Sequence, residues 1–124
     1  MPKIMLIEDD RTMLSLLTIL LQMENFDVCS PSDDRPEDIL AAIRQEKPDV
    51  VLLDVNLRLG NGIDLLGKMR SEEELKYTRV IMSSGMDLSH ECLQAGADGF
   101  LLKPYMPDEL IKLIKETPGI KQSG

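Results

Sequence analysis

Glu8-Asp9, Asp54, Ser84 and Lys103 each stand where an apolar run of the sequence breaks off. Three carboxylates brought into one small pocket either raise a pKa or recruit a cation. Hard oxygen ligands with open water positions suit Mg²⁺ or Mn²⁺, which takes one or two carboxylates and a substrate phosphate. A lysine and a serine opposite complete a set for phosphoryl transfer. The cation and Lys103 would neutralise charge on the equatorial oxygens, Ser84 would hydrogen-bond one of them, and Asp54 would attack in line. The expected product is an acyl phosphate on Asp54. Singly, each residue has an ordinary reading: a solvated helix start for Glu8-Asp9-Asp10, a surface charge for Lys103, a turn residue for Ser84, an N-cap for Asp54. Jointly these fail, because all would then fall at strand ends by chance.

The elements that must position them follow from the apolar pattern. Val50 to Asp54 opens with four apolar residues, the signature of a strand buried on both faces in a parallel sheet. Lys3 to Ile7, Phe26 to Ser30, Arg79 to Ser83 and Gly99 to Leu102 read as four more strands. Between them the spacing predicts helices over about 11–24, 36–45, 63–75 and 89–94, with a last one over 108–116. Asp10 suits the N-cap of the first, Pro36 the first turn of the second, and Gly96 the residue after the fourth. Ile63, Leu66 and Met69 should face inward from the third, and Val55 to Asn61 reads as a loop. The first helix carries Met13, Leu14, Leu16, Leu17, Ile19, Leu20, Leu21 and Met23, a wider apolar arc than one sheet face needs. That breadth fits a helix wedged between the sheet and its neighbours, or one whose edge, Leu14 with Thr18 and Leu21, receives a partner helix. Five strands alternating with five helices give a doubly wound α/β domain, a flavodoxin-like three-layer sandwich. Short connections and right-handed crossovers favour strand order 2-1-3-4-5. Ligands of such a sheet bind beyond the carboxyl ends of the strands, where all five residues fall.

At 124 residues the chain fits one domain, expected over 1–117 with a tail or linker stub at 118–124. Its 14 basic and 22 acidic residues give a formal charge of −8, with no basic cluster, which argues against direct nucleic-acid binding and for cations or basic partner surfaces. Cys29 and Cys92 share no metal-ligand spacing, and His90 as the one histidine argues against a zinc site; both thiols read as reduced. No signal-peptide pattern opens the chain and no apolar run is long enough to cross a membrane, so a cytoplasmic protein is expected.

The motifs IEDD at the first strand, LLDVN at the third, Gly62 eight residues past Asp54, MSSG at the fourth and AGADGFLLKP across the fifth are together highly specific. On them the sequence, from Lys3 to about Thr117, resembles the receiver domain of two-component response regulators, the family of the bacterial chemotaxis regulator, which supplies a standard example of this sheet order. The resemblance implies that Glu8, Asp9, Asp54 and the main-chain carbonyl of Asn56 bind Mg²⁺. Asp54 would accept phosphate from a histidine kinase or a histidine phosphotransfer protein. Lys103 would contact the phosphoryl group, with a cis peptide between Lys103 and Pro104. Ser84 would move toward the phosphate and Phe100 would turn inward as the switch aromatic. Ser84 is preferred to Ser83 because it lies thirty residues past Asp54 and precedes the small Gly85. Asn56 and Met86 would border the path of the hydrolytic water. The family's switching surface is its fourth helix, fifth strand and fifth helix, acting on an unknown output partner or effector domain. A homodimer formed on phosphorylation is compatible with a face that carries no diagnostic charge pattern. Such a domain catalyses only its own phosphorylation and dephosphorylation and is not otherwise an enzyme.

Three features depart from the family. Arg58 stands where proline is common, which suggests a looser loop; its side chain reads as solvated more readily than as a phosphate contact. Gly96 follows Ser84 by only twelve residues, which suggests a clipped fourth helix or preceding loop. Phe100 replaces the commoner tyrosine. Two other functions are weaker. A haloacid-dehalogenase-type phosphatase needs a second aspartate where Asn56 stands. A flavodoxin-type electron carrier needs a glycine- and hydroxyl-rich phosphate loop where this chain has Glu8-Asp9-Asp10. The serious rival is a receiver-like binding module that lost the chemistry, against which the intact five residues argue.

Overall fold

A computed structural model describes residues 1–117; the tail expected at 118–124 lies outside the described residues. Five parallel strands, β1 (Lys3–Ile7), β2 (Asp27–Cys29), β3 (Val50–Asp54), β4 (Arg79–Ser84) and β5 (Gly99–Leu102), form one sheet in the order β2-β1-β3-β4-β5. The chain reverses direction across the sheet between β1 and β3, where such folds bind ligands. All five residues of β3 are buried, as a central strand with covered faces requires.

Alternation along the strands divides the core into two layers. Met5, Ile7, Val51, Leu53, Val80 and Met82 point to one face, covered by α2 (Pro36–Glu46), α3 (Gly62–Ser71) and α4 (Ser89–Gln94). Ile4, Leu6, Val50, Leu52, Ile81 and Leu101 point to the other, covered by α1 (Arg11–Met23) and α5 (Pro107–Glu116). The result is the three-layer sandwich expected from the sequence.

Four local features differ from the sequence reading. Helix α3 stops at Ser71 rather than at 75, because Glu72 takes an extended backbone and its carboxylate accepts two hydrogen bonds from Arg44 of α2, at 2.6 and 3.0 Å. The chain then turns through 72–78, and Leu75 is buried as a plug from that turn rather than from a helix. Inside α3, Leu65 joins Leu66 and Met69 in the core while Ile63 is only partly buried. The stretch after Asp54 is not loose: Asn56–Leu57 pairs antiparallel with Gly60–Asn61 in a small ribbon.

The fourth difference concerns α1. Only Leu17 and Leu21 are fully buried, whereas Leu16, Ile19 and Met23 are 45, 56 and 73% exposed. The helix is therefore not wedged; it lies on the sheet beside α5 with its outer side open. Leu21 points into the core, so the open stripe is Leu16, Ile19 and Met23 rather than the edge through Leu14, Thr18 and Leu21.

Candidate functional site

Asp54 ends the middle strand and is 7% exposed. The main-chain N–H of Asn56 donates to its Oδ1 at 3.0 Å, and Lys103 Nζ donates to its Oδ2 at 2.6 Å. The same ammonium donates to Glu8 Oε1 at 3.1 Å. Residues from the ends of β1, β3 and β5, far apart in sequence, thus meet at one cation. Lys103 is held there by its own backbone, whose N–H donates to the Ser84 carbonyl at 2.8 Å, and its peptide bond to Pro104 is cis. Burial pushes the ammonium's pKa down, but the hydrogen bonds to Asp54 and Glu8 outweigh that and hold it above the ordinary lysine value of 10.5. Lys103 is charged at neutral pH.

Ser84 and Ser83 are both buried at the end of β4. Ser83 lies opposite Asp54 in the ladder, and its carbonyl accepts the Val55 N–H at 2.9 Å. Ser84 Oγ accepts the Met86 N–H at 3.1 Å, which turns the chain toward α4. A methyl group added at Gly85 would meet nothing within 4 Å beyond its chain neighbours. Phe100, paired with Met82 across β4 and β5, is half-buried against the layer under α4.

Asp9 is exposed and, with Glu8, lines a cleft of about 680 Å³ that also takes in Arg11, Ser30 to Asp34, Leu57 and Arg58. Asp10 caps α1, its Oδ1 accepting the N–H groups of Thr12 and Met13 at 2.9 and 3.1 Å. Across the cleft Arg58 Nε donates to Asp34 Oδ2 at 2.6 Å while its side chain stays 66% exposed. This side chain, then, is both exposed and paired. The pairing holds the Asp34 carboxyl below its ordinary pKa.

Among the described residues no three His, Cys, Asp or Glu side chains close into a ready-made metal cage. Lys103 stands between Glu8 and Asp54, and Asp9 stands at the rim. The donor set nonetheless suits Mg²⁺, which keeps several waters and asks the protein for one or two carboxylates. Glu8, Asp9 and Asp54 are hard oxygen donors, the first two lining an open cleft and Asp54 joined to Glu8 through Lys103, and the charge on Lys103 leaves them net negative.

Reading the sequence missed one residue, Tyr105. It is 5% exposed, and its hydroxyl is buried with no hydrogen-bond partner. Burial, with Glu8 next in weight, pushes its pKa up to about 12. Its place two residues past Lys103 was the available signal.

The chain matches the response regulator receiver domain family over residues 4–115. It is 32% identical over 115 residues to the DNA-binding response regulator MtrA of Mycolicibacterium paratuberculosis, an alignment covering 91% of this chain and 49% of that protein. The chain therefore spans about half the length of the curated relatives it matches. Among solved structures, the chemotaxis response regulator CheY4 of Vibrio cholerae superposes with a TM-score of 0.84 at 24% identity, covering 94% of this chain and 98% of that one. The receiver domain of sensor histidine kinase PA1611 from Pseudomonas aeruginosa, solved with a magnesium ion coordinated in its active site cleft, gives a TM-score of 0.81 at 21% identity, covering 96 and 98%. At these identities the two structures support the fold.

Proposed function

The chain belongs to the response regulator receiver domains, and on that premise we propose that Asp54 accepts a phosphoryl group, with Mg²⁺ or Mn²⁺, from a histidine kinase or histidine phosphotransfer protein in the cytoplasm. The acyl phosphate then switches the surface of α4, β5 and α5 to control a partner or output domain. One observation carries the reading: a charged lysine, fixed by the β4 backbone, reaches the buried carboxylate of Asp54 and a second acid together.

The chemistry follows from these side chains. A carboxylate oxygen of Asp54 attacks phosphorus, the new P–O bond forms as the P–N bond of the donor phosphohistidine breaks, and the electron pair leaves on the imidazole nitrogen. Lys103 follows the growing negative charge from the carboxylate to the phosphoryl oxygens. Glu8, Asp9, Asp54 and the Asn56 carbonyl are the groups that would hold the cation, which supplies positive charge against the same oxygens. Ser84, whose Oγ accepts the Met86 N–H, donates its hydroxyl hydrogen to a phosphoryl oxygen, and Phe100 turns inward with it. Binding of the new charge by Ser84 and Lys103 only in the active arrangement is what biases the equilibrium. Leu93, Leu102 and Met106, each about half exposed or more, give the switching surface apolar contacts to offer an output partner or a second copy.

The test is incubation with acetyl phosphate and Mg²⁺, read by intact mass and peptide mapping. A single hydroxylamine-cleavable phosphoryl adduct on Asp54 is expected. No adduct, or an adduct elsewhere, would leave a binding module without the chemistry.

Leu16, Ile19 and Met23 form an open stripe on one face of α1, the helix that follows Glu8 and Asp9 in the chain. It suits the helix of a phosphodonor docking with its phosphohistidine over Asp54. Leu16→Asp with Ile19→Asp should slow transfer from a protein donor that phosphorylates the wild type by at least about tenfold, because buried apolar anchors dominate such interfaces. Phosphorylation by acetyl phosphate should be unchanged, and equal losses with both donors would remove α1 from the docking surface.

A further inference from the structure

Arg70 makes more hydrogen bonds than any other side chain among the described residues, and the proposed chemistry uses none of them. It is the next-to-last residue of α3, with its side chain 21% exposed. Nε and Nη2 donate to the Gly96 carbonyl at 3.0 and 2.8 Å, and Nη1 donates to the Lys76 and Thr78 carbonyls at 3.1 and 2.8 Å. Nη2 also donates to Asp98 Oδ2 at 3.2 Å. Every N–H of the guanidinium fork is thereby engaged. One side chain joins the end of α3, the turn through 72–78 and the link from α4 to β5. Asp98 is fixed a second time: its Oδ2 accepts the Val80 N–H and its own N–H donates to the Val80 carbonyl, both at 2.8 Å. Gly96, at a φ of 105°, lies so near the guanidinium that a Cβ would come within 3.0 Å of Arg70 Nε. Cys92, fully buried in α4, completes the anchored end, its carbonyl accepting the Ala97 N–H at 3.0 Å.

The N-terminal end of α4 is held by nothing comparable. Among the described residues, the hydrogen bonds of 85–91 all stay within the stretch 84–95. Met86 N–H donates to Ser84 Oγ at 3.1 Å, Leu88 N–H to the Met86 carbonyl at 2.8 Å, and Ser89 N–H and Oγ to Asp87 Oδ1 at 3.2 and 2.6 Å. Gly85, Met86, Asp87, His90 and Glu91 are exposed, and Leu88 is the one apolar side chain of the seven that packs against the core layer.

We propose that Arg70 is a positioning residue that clamps the C-terminal end of α4, so that the rearrangement set off at Asp54 is confined to residues 85–91, with Cys92 as its pivot. The inference rests on the phosphoacceptor function proposed above and narrows the surface that switches. As the Ser84 hydroxyl turns to a phosphoryl oxygen, the Met86 N–H bound to its Oγ follows. The chain from Gly85 to Glu91 has no hydrogen bond to another element that resists. Past Cys92 the same pull meets a buried side chain and the Arg70 fork. Leu93, just beyond the pivot and 53% exposed, keeps its place in both states, whereas Met86, 68% exposed, travels. A partner that tells the two states apart therefore reads the edge formed by 85–91.

The test is amide hydrogen exchange resolved by NMR on the whole chain with Mg²⁺, with and without beryllium fluoride as the acyl-phosphate mimic. In the wild type, amides within 86–91 should change their exchange rate by about tenfold or more, the size of one hydrogen bond made or lost, while Ala97 and Asp98 change by less than about twofold. Arg70→Lys keeps the charge and loses the fork. In that variant Ala97 and Asp98 should exchange about tenfold faster at rest, and beryllium fluoride should now alter them as well. Asp98→Asn is a milder second variant, because its amide oxygen can still accept the Val80 N–H; it should show the same spread to a smaller extent. An Arg70 that is merely structural would speed exchange in the variants but leave the beryllium fluoride response confined to 86–91, and that result would overturn the proposal. So would a wild type in which Ala97 and Asp98 respond as strongly as 86–91; both outcomes leave the phosphoacceptor reading intact. A wild type that shows no response to beryllium fluoride anywhere would overturn both.

Discussion

Lys103→Met is expected to slow phosphorylation of Asp54 by acetyl phosphate about 10²- to 10³-fold, the usual cost of removing one preorganised donor from a developing oxyanion. Methionine keeps the apolar stem and removes only the charge. The variant also leaves Glu8 and Asp54, both largely buried, without the ammonium they share. Each then keeps only a main-chain donor, the Asp10 N–H to Glu8 at 3.2 Å and the Asn56 N–H to Asp54 at 3.0 Å, and faces a like charge, a loss of about 1–3 kcal/mol in urea unfolding at neutral pH without divalent cations. The pH dependence has a definite sign. The folded pKa of Lys103 lies above the ordinary value of 10.5, so its contribution is fully present below that value and is lost only as pH rises through the folded pKa. The stability gap between wild type and Lys103→Met should therefore stay constant through neutral pH and narrow in alkaline solution as Lys103 loses its charge. Lys103→Arg should not restore the rate, because a planar fork cannot fill the position of a compact ammonium two oxygens share. An unchanged phosphorylation rate in Lys103→Met would show that the lysine organises the resting site alone.

Much of this site was legible because it depends on the chain alone. A parallel sheet with short crossovers puts every strand's carboxyl end on one edge, so residues that interrupt apolar runs must gather there. Strand order and the meeting of Glu8, Asp54 and Lys103 follow from that rule. What could not be read is where two elements negotiate a shared surface. The wide apolar arc of α1 says how much could be buried, not how much is; α5 covers one side of the helix and Leu16, Ile19 and Met23 stay open. Helix α3 has apolar spacing through Leu75, yet Arg44 of α2 captures Glu72 and turns the chain early. Arg58 looked like a free side chain because its partner, Asp34, lies in a different loop. Tyr105 belongs with these: its type fits a core position, and only coordinates reveal that its oxygen has no partner.

Gly62→Ala should be the most damaging single-methyl change in the protein. Gly62 opens α3 and is buried against the end of β3, with its N–H donating to the Val55 carbonyl at 2.7 Å. A Cβ there would run into the Asp54 carbonyl oxygen, and would lie 3.0 Å from the Asp54 carbonyl carbon and from Met82 Cε. The end of a methionine can give way. The Asp54 backbone cannot, because β3 is laddered between β1 and β4 and ends at that residue. The start of α3 must move instead, which loosens the Asn61 cap on Ile63 and Asp64, now at 2.8 and 3.2 Å. Overpacking against a fixed backbone together with a weakened cap costs about 2–4 kcal/mol. Gly67, in the same helix, is the control: it is exposed and an added methyl meets nothing within 4 Å. Gly67→Ala should stabilise by about 0.5–1 kcal/mol through helix propensity. Urea unfolding of the two variants should therefore move in opposite directions from the wild type. A Gly62→Ala protein as stable as Gly67→Ala would mean that α3 can slide freely past Asp54, and that Asp54 is not held by close contact with the helix that follows it.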